Sequence, residues 1–234
     1  MKVVILAGGY GTRLSEETKI KPKPLIKIGS KPIIWHIMKI YSHYNIKNFI
    51  ICLGYKGDMI KSQIKKYEKK ENWKISFVNT GLHTMTGGRI KRIKKYISKD
   101  KNFCLSYGDG LSNVNIKKLI KFHIKGKKIA TLTAVKYKNP KGILSINNNC
   151  LVKNIKEKPI EYINGGFFVL SNKIFSFLKN DKTIFEKKCL PHLTKTNQLS
   201  AFKHNDFWAC MDTLREKKEL NSLWKSKKCK WKIW

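Results

Sequence analysis

The residues best equipped for chemistry stand at the front of the chain, in Ala7-Gly8-Gly9-Tyr10-Gly11-Thr12-Arg13. Three glycines in four positions let backbone N–H groups turn inward and approach an anion with no Cβ in the way. Thr12 adds a hydroxyl donor, and Arg13 adds charge-assisted donors. Ten residues on, Lys23 sits between Pro22 and Pro24. Proline fixes φ and restrains the residue before it to extended conformations, so a lysine held this way can be aimed. A second glycine turn, Tyr107-Gly108-Asp109-Gly110, lies farther along. The chemistry these types suit is the cradling of a phosphate. Two familiar phosphate loops fail at named positions. Walker A needs a Gly-Lys-Ser/Thr that does not follow here, and the dinucleotide fingerprint needs a glycine where Leu14 stands.

These residues must be positioned by regular elements. KVVIL at the start reads as a strand, 32–44 as a helix entered through Pro32, and 48–54 as a strand. An amphipathic helix over 58–70, a strand over 73–78, a basic helix over 89–97 and a strand over 102–107 follow. A helix over 115–124 and a strand over 128–135 complete the alternation. Strand–helix alternation with continuous apolar strands predicts an α/β fold, a doubly wound and mostly parallel sheet. After residue 136 short strands in 143–146, 151–157 and 165–170 precede helices over 171–179, 183–195 and 213–225. The expectation is one domain over 1–234, with a core over 1–135 and a sheet extension over 136–234. Ligands of open α/β sheets bind outside the carboxyl ends of the strands, so both glycine turns are expected side by side.

GGYGTRLSEET followed by KPKP resembles the signature of the sugar-1-phosphate nucleotidylyltransferases. TMTGGR (84–89), INGGFFVL (163–170) and FWACMDTLRE (207–216) look like the branch that uses CTP and glucose 1-phosphate, and the resemblance runs nearly end to end. It implies a Rossmann-like fold and transfer of a cytidylyl group from CTP to glucose 1-phosphate, giving CDP-glucose and diphosphate with Mg²⁺ as cofactor. It implies a nucleotide-binding loop of Leu6, Ala7, Gly8, Gly9, Tyr10, Gly11, Thr12 and Arg13, with Arg13 near the leaving phosphates. Lys23 would stabilise the transferred phosphate. Thr84, Arg89 and Gly108 would meet the nucleotide, and Lys158 and Asn164 the sugar phosphate. Asp109 and Asp212 would hold the metal. Read by itself, Asp212 is instead a helix N-cap before TLREKKEL. The family's products feed surface polysaccharides such as O-antigen. UTP, dTTP or GTP remains open as the nucleotide. Relatives of this kind carry about 20 more residues between the helix ending near Lys70 and the strand at Trp73, a segment tied to their subunit assembly. A homo-oligomer is therefore expected to be weakened by the short 65–75 segment.

The bulk composition bounds other function classes. The net charge is +35, from 46 Lys and only 4 Arg against 15 acids. Such charge favours anionic partners, and a nucleic-acid or anionic-surface binding protein is the reading from another class. Nucleic-acid readout, however, recruits arginine's forked donors, and the lysines here are spread along the whole chain. No specific nucleic acid is expected as a partner. Six cysteines at 52, 104, 150, 189, 210 and 229 include no C-x-x-C pair, which predicts reduced thiols and no zinc site. No apolar run reaches about 18 residues, and the first one is too short for a secretion signal. The expected compartment is the cytoplasm, without membrane insertion.

Overall fold

The computed structural model describes residues 1–97, 99–138 and 141–234, the side chain of Ser15 apart. The chain runs β1 (Val3–Leu6), α1 (Ser15–Thr18), β2 (Lys27–Ile28), β3 (Lys31–Pro32) and α2 (Ile33–His43). It continues through β4 (Asn48–Leu53), α3 (Gly57–Glu68), β5 (Lys74–Asn79), α4 (Thr86–Arg92), α5 (Lys94–Ile97) and β6 (Asn102–Tyr107). Then come β7 (Gly110–Ser112), α6 (Ile116–Gly126), β8 (Ala130–Lys138), β9 (Ile143–Ile146), β10 (Val152–Lys156) and β11 (Ile160–Ser171). The last elements are α7 (Leu190–Lys195), β12 (Leu199–His204), β13 (Trp208–Cys210) and α8 (Leu214–Lys225).

Seven strands form the central sheet in the order β12-β8-β11-β6-β1-β4-β5. β5, β4, β1 and β6 are parallel neighbours, whereas β11 runs antiparallel to both β6 and β8. β12 is parallel to β8. The expected parallel sheet is thus real for the first half and becomes mixed where β11 enters. Period-two alternation splits the strand side chains between two cores. Val3 and Ile5 pack with α2, α3 and α6 on one face; Val4 packs with α4, α5 and α7 on the other. Coverage of both faces is why these strands read as unbroken apolar runs.

The helix expected over 89–97 begins three residues earlier and breaks at Ile93, which closes α4 with φ −92° and ψ 5°. Residues 172–177 form a 3₁₀ helix rather than an α-helix, and 185–189 wind as a π-helix before α7. The sequence reading missed β12 and β13. β9 and β10 form a separate antiparallel hairpin, and its Leu144, Ile146, Val152 and Ile155 are exposed.

Candidate active site

Hydrogen bonds from neighbouring strands shape the glycine loop after β1. The Ala7 N–H donates to the Cys52 carbonyl at 3.1 Å, and the Tyr55 N–H donates to the Gly8 carbonyl at 3.1 Å. Gly11 has φ +68°, and a Cβ there would lie 2.9 Å from Thr18 Cγ2, so glycine is required on both counts. Thr18 Oγ1 in turn donates to the Gly11 and Leu14 carbonyls at 3.2 and 3.0 Å, closing the loop onto α1.

Lys23 opens a single 3₁₀ turn, Lys23–Leu25, with Pro22 in extended conformation before it and Pro24 within it. Its stem is buried, and its ammonium points back toward the second glycine turn. Lys23 Nζ donates to Asp109 Oδ2 at 2.6 Å and to Asp212 Oδ1 at 2.5 Å. Arg13 Nη1 donates to the other Asp212 oxygen at 2.6 Å. Burial works to lower the Lys23 pKa, but the two carboxylates outweigh it and hold the ammonium above its ordinary value. Four of the expected residues therefore form one charged cluster beside the loop.

The short pair β7–β13 explains how two aspartates so far apart in sequence meet. Gly110 pairs with Cys210, and the Met211 N–H donates to the Asp109 carbonyl at 3.0 Å. Asp212 is not the N-cap of the helix that follows. Thr213 takes that place, in a capping box with Glu216, and Glu216 Oε2 also accepts the Asp212 N–H at 2.7 Å. The Asp212 carboxylate is thereby released from capping and turned toward Lys23.

Two adjoining cavities flank the cluster. The smaller, about 300 Å³, is lined by the glycine loop with Thr12, Arg13, Lys23, Gly108 and Asp109. The larger, about 560 Å³, reaches from Gly8 and Tyr10 past Thr84 and Arg89 to Tyr107 and Glu186. Leu6 lines both cavities.

Arg89 lies on this wall, but its guanidinium faces the protein. Five acceptors surround it at 2.8–3.2 Å: the carbonyls of Gly8, Leu53, Gly81 and Leu82, and the Thr80 hydroxyl. A Cβ on Gly8 would lie 2.2 Å from Arg89 Nη1, so this glycine is what admits the guanidinium. Asn164, on β11, donates to the Tyr107 hydroxyl at 3.2 Å. Lys158 is exposed, in the left-handed turn between β10 and β11 with φ 43°, and lines neither cavity.

Sequence reasoning missed Glu186. Its Oε1 accepts the Tyr107 hydroxyl at 2.6 Å and its Oε2 accepts the Thr86 hydroxyl at 2.7 Å. Within FEKKC (185–189) it reads as one polar residue in a basic helix face, and only the fold brings it to the cavity.

Residues 2–224 match the family model described as nucleotidyl transferase. The chain belongs to that family. This nucleotidyl transferase is 45% identical to a glucose-1-phosphate cytidylyltransferase of Salmonella typhimurium, with all of both chains covered over 257 aligned positions. It is 43% identical to a probable glucose-1-phosphate cytidylyltransferase of Bacillus subtilis, again over the full length of both. Among solved structures, HddC from Yersinia pseudotuberculosis complexed with GMP-PN superposes with a TM-score of 0.76 at 28% identity. That match covers 95% of the nucleotidyl transferase and 99% of HddC.

Proposed function

We propose that the chain transfers the cytidylyl group of CTP to α-D-glucose 1-phosphate, forming CDP-glucose and diphosphate. Its phosphate oxygen attacks the α-phosphorus of CTP, a new O–P bond forms, and the bond to the departing diphosphate breaks. Two polyanions must meet, so positioning and neutralisation of charge carry the rate. The observation that carries this reading is the Lys23 ammonium, held by Asp109 and Asp212 beside the glycine loop. Full-length similarity to a glucose-1-phosphate cytidylyltransferase and to a probable one supports CTP and glucose 1-phosphate as the pair.

Residues 1–135 form the nucleotide core in this reading, and 136–234 supply the sugar-phosphate side. Backbone N–H groups of residues 8–11 and the Thr12 hydroxyl hold the triphosphate. Arg13, exposed at the cavity mouth, binds the leaving diphosphate. Lys23 neutralises the transferred phosphoryl group. Thr84 and Gly108 border the nucleotide, Arg89 holds its wall, and Asn164 serves the sugar phosphate.

Asp109 and Asp212 would hold Mg²⁺. Two oxygen donors that converge within reach of one cation suit this ion, which takes its remaining ligands from phosphates and water. When bound, Mg²⁺ would neutralise phosphate charge and align the reacting oxygens. No helix among the described residues is long and apolar enough to cross a membrane. In this reading the enzyme works in the cytoplasm and supplies nucleotide sugar for surface polysaccharide. The test is diphosphate release from CTP, UTP, dTTP and GTP with glucose 1-phosphate. Release with CTP well above the others is expected; none with any nucleotide sinks the proposal.

A further inference from the structure

We infer that Glu186 is a substrate-binding residue that accepts hydrogen bonds from ring hydroxyls, the vicinal hydroxyls of a ribose or of a hexose. The inference rests on the nucleotidyl-transfer reading and names a contact within that site. Glu186 and Asp109 are the two carboxylates lining the larger cavity among the described residues. An anion there repels phosphates, so its place needs a reason. Glu186 lines the larger cavity and not the smaller one at the glycine loop, which leaves it to a neutral part of the substrate.

The direction of its hydrogen bonds supplies that reason. Asn164 Nδ2 donates to the Tyr107 hydroxyl at 3.2 Å, which leaves Tyr107 to spend its one proton on Glu186 Oε1 at 2.6 Å. The Asn164 amide is fixed by its own oxygen, which accepts the Gly166 N–H at 2.9 Å. On the other side the Phe185 N–H donates to Thr86 Oγ1 at 2.9 Å, and Thr86 donates to Glu186 Oε2 at 2.7 Å. Both chains of donors end on this carboxylate. An ionised carboxyl has about four acceptor directions; two are used for bracing, and the others are available to a donor in the cavity. The wall thus presents rigid acceptors and selects a hydroxyl. Hydroxyls held this way are discriminated from their deoxy analogues, because the half-buried acceptor is left without that partner.

The experiment compares kcat/KM for the parent substrates with 2′-deoxy-CTP and 3′-deoxy-CTP, and with the 2-, 3-, 4- and 6-deoxy forms of glucose 1-phosphate. Wild type, E186A, E186Q and Y107F are measured, and calorimetric binding of CTP, both deoxy-CTPs, glucose 1-phosphate and its four deoxy analogues accompanies the kinetics. Wild type is expected to favour the parent over one deoxy analogue by about tenfold or more. E186A is expected to bring that preference within about twofold and to raise KM for the same substrate with little change in kcat. Y107F keeps the preference, because Thr86 still holds the carboxylate. The series that responds, ribose or hexose, identifies the hydroxyl's source. A folded E186A variant that keeps the wild-type preference against every analogue, or that loses parent and analogues equally, overturns the inference. Should E186A fail to fold, E186Q retains the shape and is expected to weaken the preference; an unchanged preference overturns it. If wild type releases no diphosphate, the parent reading fails separately, while calorimetry with both substrate series still decides the role of Glu186.

Discussion

Lys23 Nζ lies 2.6 Å from Asp109 Oδ2 and 2.5 Å from Asp212 Oδ1, so one ammonium bridges two carboxylates from opposite halves of the chain. It occupies the point on which both carboxylates converge. A divalent cation held by the same oxygens would compete with the lysine, and phosphates arriving with the nucleotide would give that lysine somewhere else to go. The contact is a structural staple in the free chain and, in the proposed reaction, would become a source of positive charge once substrate arrives.

Lys23→Met separates these roles. Loss of the ammonium from between two partly buried carboxylates is expected to lower stability by roughly 3 kcal/mol in metal-free buffer, since unpaired charge is left behind. Activity is expected to fall about 10³-fold, the scale of one lost transition-state donor. MgCl₂ added without nucleotide is expected to raise the melting temperature of the variant more than that of wild type, because the site is vacated. An equal or smaller shift in the variant would refute competition between Lys23 and the metal.

Arg13 offers the opposite balance. Its side chain is 75% exposed although it reaches Asp212 at 2.6 Å. An exposed pair contributes about 0–1 kcal/mol to folding, so Arg13→Ala is expected to leave the urea midpoint nearly unchanged. Its kcat is expected to drop about 10²-fold or more, because the cation proposed to bind the leaving diphosphate is lost. Unaltered kcat would remove Arg13 from the reaction.

Arg89 is expected to act through the glycine loop. Its guanidinium ties the Gly8 carbonyl to the ends of β4 and β5. Arg89→Ala strands several buried acceptors, each costing about 1–3 kcal/mol, and a loss of about 3 kcal/mol or more is expected in denaturant titration. Arg89→Lys recovers less than half, since a point charge cannot serve a fork of acceptors. Both Arg89 variants are expected to raise KM for CTP, and Gly8→Ala, which drives a Cβ into the guanidinium, is expected to raise it as well. Normal KM in all three variants would rule out this positioning role.

Local patterns made the first half of the sheet legible, because β1 and β4 carry nearly unbroken apolar runs and α2 and α3 keep their helical period. The loop, Lys23 and the YGDG turn were visible as residue types in rigid contexts. Residues paired only by the fold were not. β13 has three residues and exists because Trp208–Cys210 meets Gly110–Ser112, which no local signal announces. Asp212 read as a cap because the capping residue, Thr213, is its neighbour and of the same capping class. Arg89 looked like the start of a basic helix face, yet it is buried inside a ring of carbonyls. β12 alternates too weakly, in LSAFKH, to stand out from the lysine-rich background.

His36 sets a pH limit on the fold. It is fully buried, with Nε2 donating to the Ile28 carbonyl at 3.0 Å and Nδ1 accepting the Trp231 Nε1–H at 3.4 Å. The second contact requires an unprotonated Nδ1, and burial lowers the pKa to about 4. The unfolded chain, with a value near 6.5, takes up its proton first as the pH falls. Stability present above about pH 6.5 is therefore lost progressively toward pH 4, by about 3 kcal/mol from this group. His123, lowered by burial as well, adds to the same slope. His36→Gln is expected to be less stable at pH 7.5, through lost packing between Trp224 and Trp231, but to lose less on acidification. Denaturant midpoints of wild type and variant at half-unit steps from pH 7.5 to 4.5 provide the measurement. Parallel curves would show that His36 carries none of the acid sensitivity.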